Sequence, residues 1–200
     1  MPPSLRKSLS CGCAALFAEK FHFSGSIENK FGGSAALLAF AFIHYPYLMT
    51  FTLSPADESM IDDILLIADQ CGLAPWSRND YLAEIGRPDS IFLVLHAGPK
   101  LTGFIVGRII PGREAGHEAE LYNIGISPDF RRLGGGKMLL ESFLSECVNR
   151  GATSVWLEVR ASNANAIKLY EKAGFIKQSL RKQYFSDPLE DAIIMQMKLA

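Results

Sequence analysis

The stretch from Tyr122 to Lys137, YNIGISPDFRRLGGGK, concentrates the residue types that could bind an anion. A strand-like run ends at Ser127-Pro128-Asp129, and Arg131-x-x-Gly134-x-Gly136 then opens a helix. Glycine lets a backbone approach a ligand closely, and Gly134, Gly135 and Gly136 stand together here. A helix N-terminus presents unpaired N–H groups and a favourable dipole. Arg131, Arg132 and Lys137 add positive charge, so the segment reads as a seat for a pyrophosphate. Two rivals fail on spacing. A P-loop needs glycine where Arg131 stands and Ser or Thr where Met138 follows Lys137. A dinucleotide fingerprint needs a third glycine at the position of Leu139. A glycine-rich turn that binds nothing is the plain alternative.

Other residues invite weaker readings. Glu158 lies between Leu157 and Val159 in an apolar strand, where carboxylates are uncommon; the plain alternative is a strand-end charge facing solvent. Trp76, Tyr122 and Tyr184 are aromatic candidates for the wall of a peptide cleft, or packing residues. Glu118 and Glu120 share one strand face by the two-residue period and could hold an ammonium. His22, His44, His96 and His117 show no ligand spacing, so no metal is expected. Cys147 falls on the apolar side of a helix, and Cys71 at a helix end stays open.

The elements that must carry these residues can be read from Met49 onward. Phe51–Leu53 is a short strand, and Ser54-Pro55-Ala56-Asp57 looks like a helix start with Ser54 as cap. Met60, Ile61, Ile64, Leu65 and Ala68 recur at helical spacing up to Gly72. Ser77 and Asp80 begin a short second helix ending near Gly86. Strands follow at 91–96, 101–110 and 118–126, then a helix from the glycines to Gly151. A strand at 155–159, a helix at 164–172 and two strands, 175–184 and 192–199, close the chain. The order β-α-α-β-β-β-α-β-α-β-β makes a mixed sheet with helices packed against it.

With 48% apolar residues among 200, the chain can bury a sizeable core. A net charge of −1 argues against a dedicated nucleic-acid binder, and no apolar run reaches a membrane span. Few, unclustered cysteines suit a reducing compartment, and a soluble cytoplasmic protein is expected. Residues 1–48 differ from the rest, with a net charge of +2 and no clear period. Ala35–Ile43 starts too late for a signal peptide. A loosely held extension, or a start assigned upstream of Met49, is expected there, with the folded domain at 49–200.

The motifs resemble the GNAT superfamily of acetyl-CoA-dependent N-acetyltransferases, whose phosphate-binding signature is Arg/Gln-x-x-Gly-x-Gly/Ala. LYNIGISPDFRRLGGG, WLEVRASNANAIKLYEKAGF, EDAIIM and the Pro75-Trp76-Ser77 step are similar to the RimI family in particular, which acetylates the N-terminal alanine of a small-subunit ribosomal protein. The resemblance spans about residues 50–198 and leaves the first 48 without a counterpart. Two departures stand out. Gly135 occupies a usually apolar position, which should loosen the helix start by about 1 kcal/mol, and the Pro111–His117 turn is long and polar.

The resemblance implies an α+β fold, a central mixed, mostly antiparallel sheet of about seven strands with about four helices. It implies acetyl-CoA as co-substrate and no metal. Backbone groups of Ile124, Gly125 and Ile126 would follow the pantetheine arm, and an N–H there could bond the thioester oxygen. Arg131, Arg132, Gly134, Gly135, Gly136 and Lys137 would hold the pyrophosphate, with Asn163 as helix cap and cofactor contact. Glu158 matches the family's general base, useful because an α-amine with a pKa near 8 is mostly protonated at neutral pH. Tyr170 matches the general acid, a phenol protonated at pH 7 that can donate to the thiolate. The implied reaction is direct acetyl transfer to the N-terminal alanine of a protein, ribosomal by the resemblance. Transfer to a lysine or small-molecule amine is the alternative, and a non-catalytic acetyl-CoA binder a remote one. No nucleic-acid or membrane partner is expected, and the oligomeric state stays open.

Overall fold

The computed structural model describes residues 50–73, 75–112 and 116–199. The expectation for residues 1–48 lies outside the described residues, as does the middle of the Pro111–His117 turn. The strands are β1 (Phe51–Pro55), β2 (Ser90–Ala97), β3 (Lys100–Pro111), β4 (His117–Ile126), β5 (Ala152–Arg160), β6 (Ile176–Ser186) and β7 (Leu189–Lys198). The helices are α1 (Ile61–Gln70), α2 (Arg78–Ile85), α3 (Gly135–Asn149) and α4 (Ala164–Ala173). One sheet runs β1-β2-β3-β4-β5-β7-β6, antiparallel except between β4 and β5. The mixed sheet expected from the pattern and the α+β fold implied by the resemblance are both observed.

Local chemistry sets most boundaries. Ser77 and Asp80 form a reciprocal capping box at α2, with Ser77 N–H donating to Asp80 Oδ2 at 2.7 Å. Asn163 caps α4 by accepting from Ala166 N–H at 3.1 Å, and Gly174 ends it at φ 104°. The first helix start differs from expectation. Ser54 and Pro55 belong to β1, paired with Val94 and Leu93, and Asp57 accepts from Ser59 N–H at 2.8 Å to begin a 3₁₀ turn before α1. Proline is tolerated there because β1 is an edge strand.

Side chains alternate between two cores. On one face Leu95, Ile105, Leu121, Leu157 and Met195 pack under α3 and α4 against Leu139, Leu140, Phe143 and Ile167. On the other, Val94, Phe104 and Val106 meet Ile61, Ile64 and Ile67 of α1 and Tyr81 of α2. Glycine permits the tightest approach: a Cβ on Gly107 would lie 2.3 Å from the Glu120 carbonyl oxygen and 2.6 Å from Phe143 Cζ.

The parallel pair does not run to its end. β4 and β5 pair from His117–Ala152 to Leu121–Leu157. Beyond that, β4 continues along β3 to Ile126 while β5 continues along β7 to Arg160. The strands splay at this point, and among the described residues the β5-facing backbone of 122–126 has no strand partner. A bulge sits at the same place: Gly107 opposes Leu121 and Val106 opposes Asn123, so Tyr122 is the extra residue.

Candidate active site

The glycine segment folds as its composition demands. Gly134 caps α3 in the left-handed region at φ 90°, with no side-chain cap, and Arg132 also takes a positive φ of 64°. Nothing lies within 4 Å of the place a Gly134 Cβ would take. The N–H of Met138 donates to the Gly134 carbonyl, and the amides ahead of it in the first turn have no acceptor within the helix. This donor cluster with dipole and cationic side chains suits an anion such as a pyrophosphate. Gly135 has a packing reason: a Cβ there would lie 2.6 Å from Leu95 Cδ2, so an apolar side chain would require Leu95 to move.

Arg131, though exposed, folds back along the loop. Its Nε donates to the Ile126 carbonyl at 3.0 Å and its Nη2 to Cys71 Sγ at 3.3 Å. The Cys71 thiol in turn donates to the same carbonyl at 3.3 Å. Arg131 thereby ties the end of β4 to the end of α1. Lys137 lies 3.5 Å from Glu141 on the exposed side of α3.

Ile124 and Ile126 pack toward α3, at the splayed end of β4. Tyr170 projects from α4 into the same core, 5% exposed, with its ring 5.7 Å from Phe175. Burial holds its hydroxyl well above the usual phenol range, so it stays protonated at neutral pH.

Glu158 is on the opposite face. Val155, Leu157 and Val159 of β5 point into the α3–α4 core, so Glu158 points away from it, with 31% of its side chain exposed. Arg181 Nη1 donates to Glu158 Oε1 at 2.6 Å. Tyr184 completes the group: its ring centre lies 4.8 Å from the Arg181 guanidinium carbon. Its hydroxyl is raised above the ordinary phenol value, first by its hydrogen bond with Glu158.

The remaining aromatic candidates gather elsewhere. Trp76 lies 5.7 Å from Tyr122 and 5.2 Å from Tyr81, ring centre to ring centre. Trp76, Tyr122, Asp80, Ala83, Glu84 and Arg108 line a cavity of about 390 Å³. Arg108 on β3 bonds the buried Glu84 carboxylate through both Nε and Nη2, and stands over the Tyr122 ring at 5.6 Å. Burial, with Glu120 alongside, pushes the Tyr122 hydroxyl up to about 12. Glu118 accepts from Ser154 Oγ at 3.2 Å. Thus Trp76 and Tyr122 form one wall, while Tyr184 belongs with Glu158.

Sequence reading missed Arg181 and the Glu84–Arg108 pair. Arg181 sits among Lys177 and Lys182 on an edge strand, where charge is ordinary. Glu84 lies in a polar helix whose inward face is not evident from its pattern. Among the described residues no helix is long and apolar enough to cross a membrane.

Comparison with known proteins places this geometry. The model of the acetyltransferase (GNAT) family matches residues 61–175. A ribosomal protein bS18-alanine N-acetyltransferase from Escherichia coli K12 is 34% identical over 151 residues, covering 74% of this chain and 98% of the relative. A protein of the same name from Haemophilus ducreyi is 40% identical over 145 residues, covering 71% and 96%. The crystal structure of the ribosomal-protein-S18-alanine N-acetyltransferase from Escherichia coli matches with a TM-score of 0.67 at 33% identity, covering 76% of this chain and 95% of that one. Arabidopsis thaliana NAA60, solved in complex with acetyl-CoA, shares the fold with a TM-score of 0.68 at 15% identity, over 75% of this chain and 99% of that one. The matched span contains the splayed strands, the glycine-capped helix, Glu158 and Tyr170: the chain belongs to the acetyltransferase (GNAT) family.

Proposed function

We propose that this protein transfers an acetyl group from acetyl-CoA to the N-terminal α-amine of a protein beginning with alanine, a ribosomal protein of the bS18 type, in the cytoplasm. The observation that carries the reading is the division of labour across the sheet. The anion-binding helix start and the protonated Tyr170 lie on the α3–α4 side. Glu158 and Tyr184 lie on the other, and the gap between β4 and β5 joins them.

Each group then has a task. The amides of Gly134–Gly136, with Arg132 and Lys137, hold the pyrophosphate, and Arg131 keeps their loop against β4. Asn163 caps α4 and is taken as a further cofactor contact. The backbone of Ile124, Gly125 and Ile126, where β4 has parted from β5, aligns the pantetheine arm and offers an N–H to the thioester oxygen as its charge grows. Acetyl-CoA supplies the activated acyl carbon. Glu158 accepts the proton of the acceptor ammonium, freeing its nitrogen lone pair to form the C–N bond. The C–S bond breaks as the C–N bond forms, Tyr170 gives its proton to the departing sulfur, and the second proton shed by the nitrogen passes through water to restore the Tyr170 phenol. Trp76, Tyr122 and Tyr184 would border the acceptor peptide, and no step calls for a metal. The similarity to bS18-alanine N-acetyltransferases supports the choice of acceptor.

Incubating the full chain with acetyl-CoA and two peptide sets tests this. Peptides with a free N-terminal alanine should gain one acetyl group at that amine by mass spectrometry. Acetylation confined to lysine side chains of N-terminally blocked peptides would refute the acceptor assignment.

A further inference from the structure

The Glu158 carboxylate already has a cation. Arg181 Nη1 reaches its Oε1 at 2.6 Å, and the guanidinium is held against the Tyr184 ring. Both residues come from an irregular part of the outermost strand. Arg181 pairs with Ala192 and Phe185 with Glu190, so three residues of β6 arch over the single Asp191 of β7. Gln183 at the crown takes a left-handed φ of 51° and donates its N–H to Asp191 Oδ1 at 2.8 Å. Arg181, the last paired residue before the arch, and Tyr184 within it come together at Glu158.

An acceptor α-amine arrives at neutral pH mostly as ammonium, because its pKa lies near 8. Its first productive contact is therefore a cation meeting a carboxylate, at hydrogen-bond distance. That contact is the one Arg181 makes. Two cations at one carboxylate repel each other, and only one can align with a given oxygen. The half-exposed position of Arg181, 52% accessible at its side chain, leaves it room to move into water.

We infer that Arg181 is a positioning residue that stands in for the acceptor's ammonium, neutralising and aiming Glu158 until the acceptor displaces it. The inference rests on the reading of Glu158 as general base. It adds a rule of selection. A free ammonium replaces one cation by another at little cost, whereas a blocked N-terminus brings no cation to Glu158 and leaves the Arg181 ion pair closed. Exposed ion pairs are weak, so the expected competition is about two- to fivefold in affinity.

The test uses the full chain and three variants, Arg181→Ala, Arg181→Lys and Glu158→Gln. Calorimetry gives the affinity for a peptide with a free N-terminal alanine and for its N-acetylated form, and steady-state kinetics give KM and kcat. Arg181→Ala should bind the free peptide about two- to fivefold tighter and lower its KM by a similar factor. The acetylated peptide should show a smaller gain, and Arg181→Lys should return both values toward the parent. Weaker or unchanged binding of the free peptide to Arg181→Ala would overturn the inference, as would an equal gain for the blocked peptide. Turnover of Glu158→Gln reports separately on the base: if it persists at the parental rate, the reading of Glu158 fails whatever Arg181 does.

Discussion

Replacing Arg108 with alanine tests whether charge holds the aromatic cavity in shape. Glu84 retains 3% of its side-chain exposure and Arg108 28%. Arg108 Nε donates to Glu84 Oε2 at 2.9 Å and Nη2 donates to the other oxygen, a two-pronged bond between α2 and β3. Truncating Arg108 strands a buried carboxylate, and breaking such a pair from one side costs about 3–5 kcal/mol. Water can reach the exposed part of the guanidinium, so the lower end, about 3 kcal/mol, is expected. Loss of the cation over Tyr122 adds about 0.5–1 kcal/mol. Replacing both partners, Glu84→Met with Arg108→Met, removes the buried charge and should lose much less. Urea denaturation of the parent, both single methionine variants, the double variant and Arg108→Ala gives the stabilities. The peptide KM should rise in Arg108→Ala as Tyr122 and Trp76 lose their support. A cost below about 1 kcal/mol for Arg108→Ala, or a double variant as unstable as the worse single one, would refute the argument.

Three other outcomes follow from the same geometry. Tyr170→Phe should cut kcat by about 100-fold or more with the acetyl-CoA KM little altered; parental turnover would remove Tyr170 as the acid. Gly107→Ala should destabilise by about 3 kcal/mol, because its Cβ meets the Glu120 backbone and the Phe143 ring, and thermal melting reads the loss. Hydrogen bonds from Ser77 hold the Asp80 carboxyl below its usual range. Its contribution is complete above the unfolded value near 4 and fades as pH falls through the lower folded value. Asp80→Asn should flatten the acid arm of melting temperature against pH below about 4, and an unchanged arm would show that the box carries no pH-dependent stability.

Local signals were legible wherever a residue acts on its own neighbours. The Ser77–Asp80 box, the Asn163 cap and the left-handed Gly134 and Gly174 are matters of a few bonds along the chain, and they sit where their residue types indicate. Ser54-Pro55 shows the limit. A strand partner claimed Ser54 and Pro55, and Asp57, with its own bond to Ser59, took over the start of the turn. The bulge at Tyr122 was equally hidden, since it exists only as a register difference between β4 and β3. It places the Tyr122 ring beside Trp76 and leaves Ile124 and Ile126 on the α3 side.

The sequence by itself determined the order of elements, the glycine-opened helix beneath a cationic segment, and the presence of Glu158 and Tyr170 in the strand and helix that follow. Those features depend on backbone conformation and on periodicity, which are properties of short stretches of chain. Tertiary structure alone decided that β4 and β5 part at Leu121–Leu157, that Glu158 and Tyr170 project from opposite faces, and that Arg181 and Tyr184 meet the carboxylate. Pairing between strands far apart in sequence sets each of these, and no local preference encodes which residue a distant strand will carry to a given carboxylate.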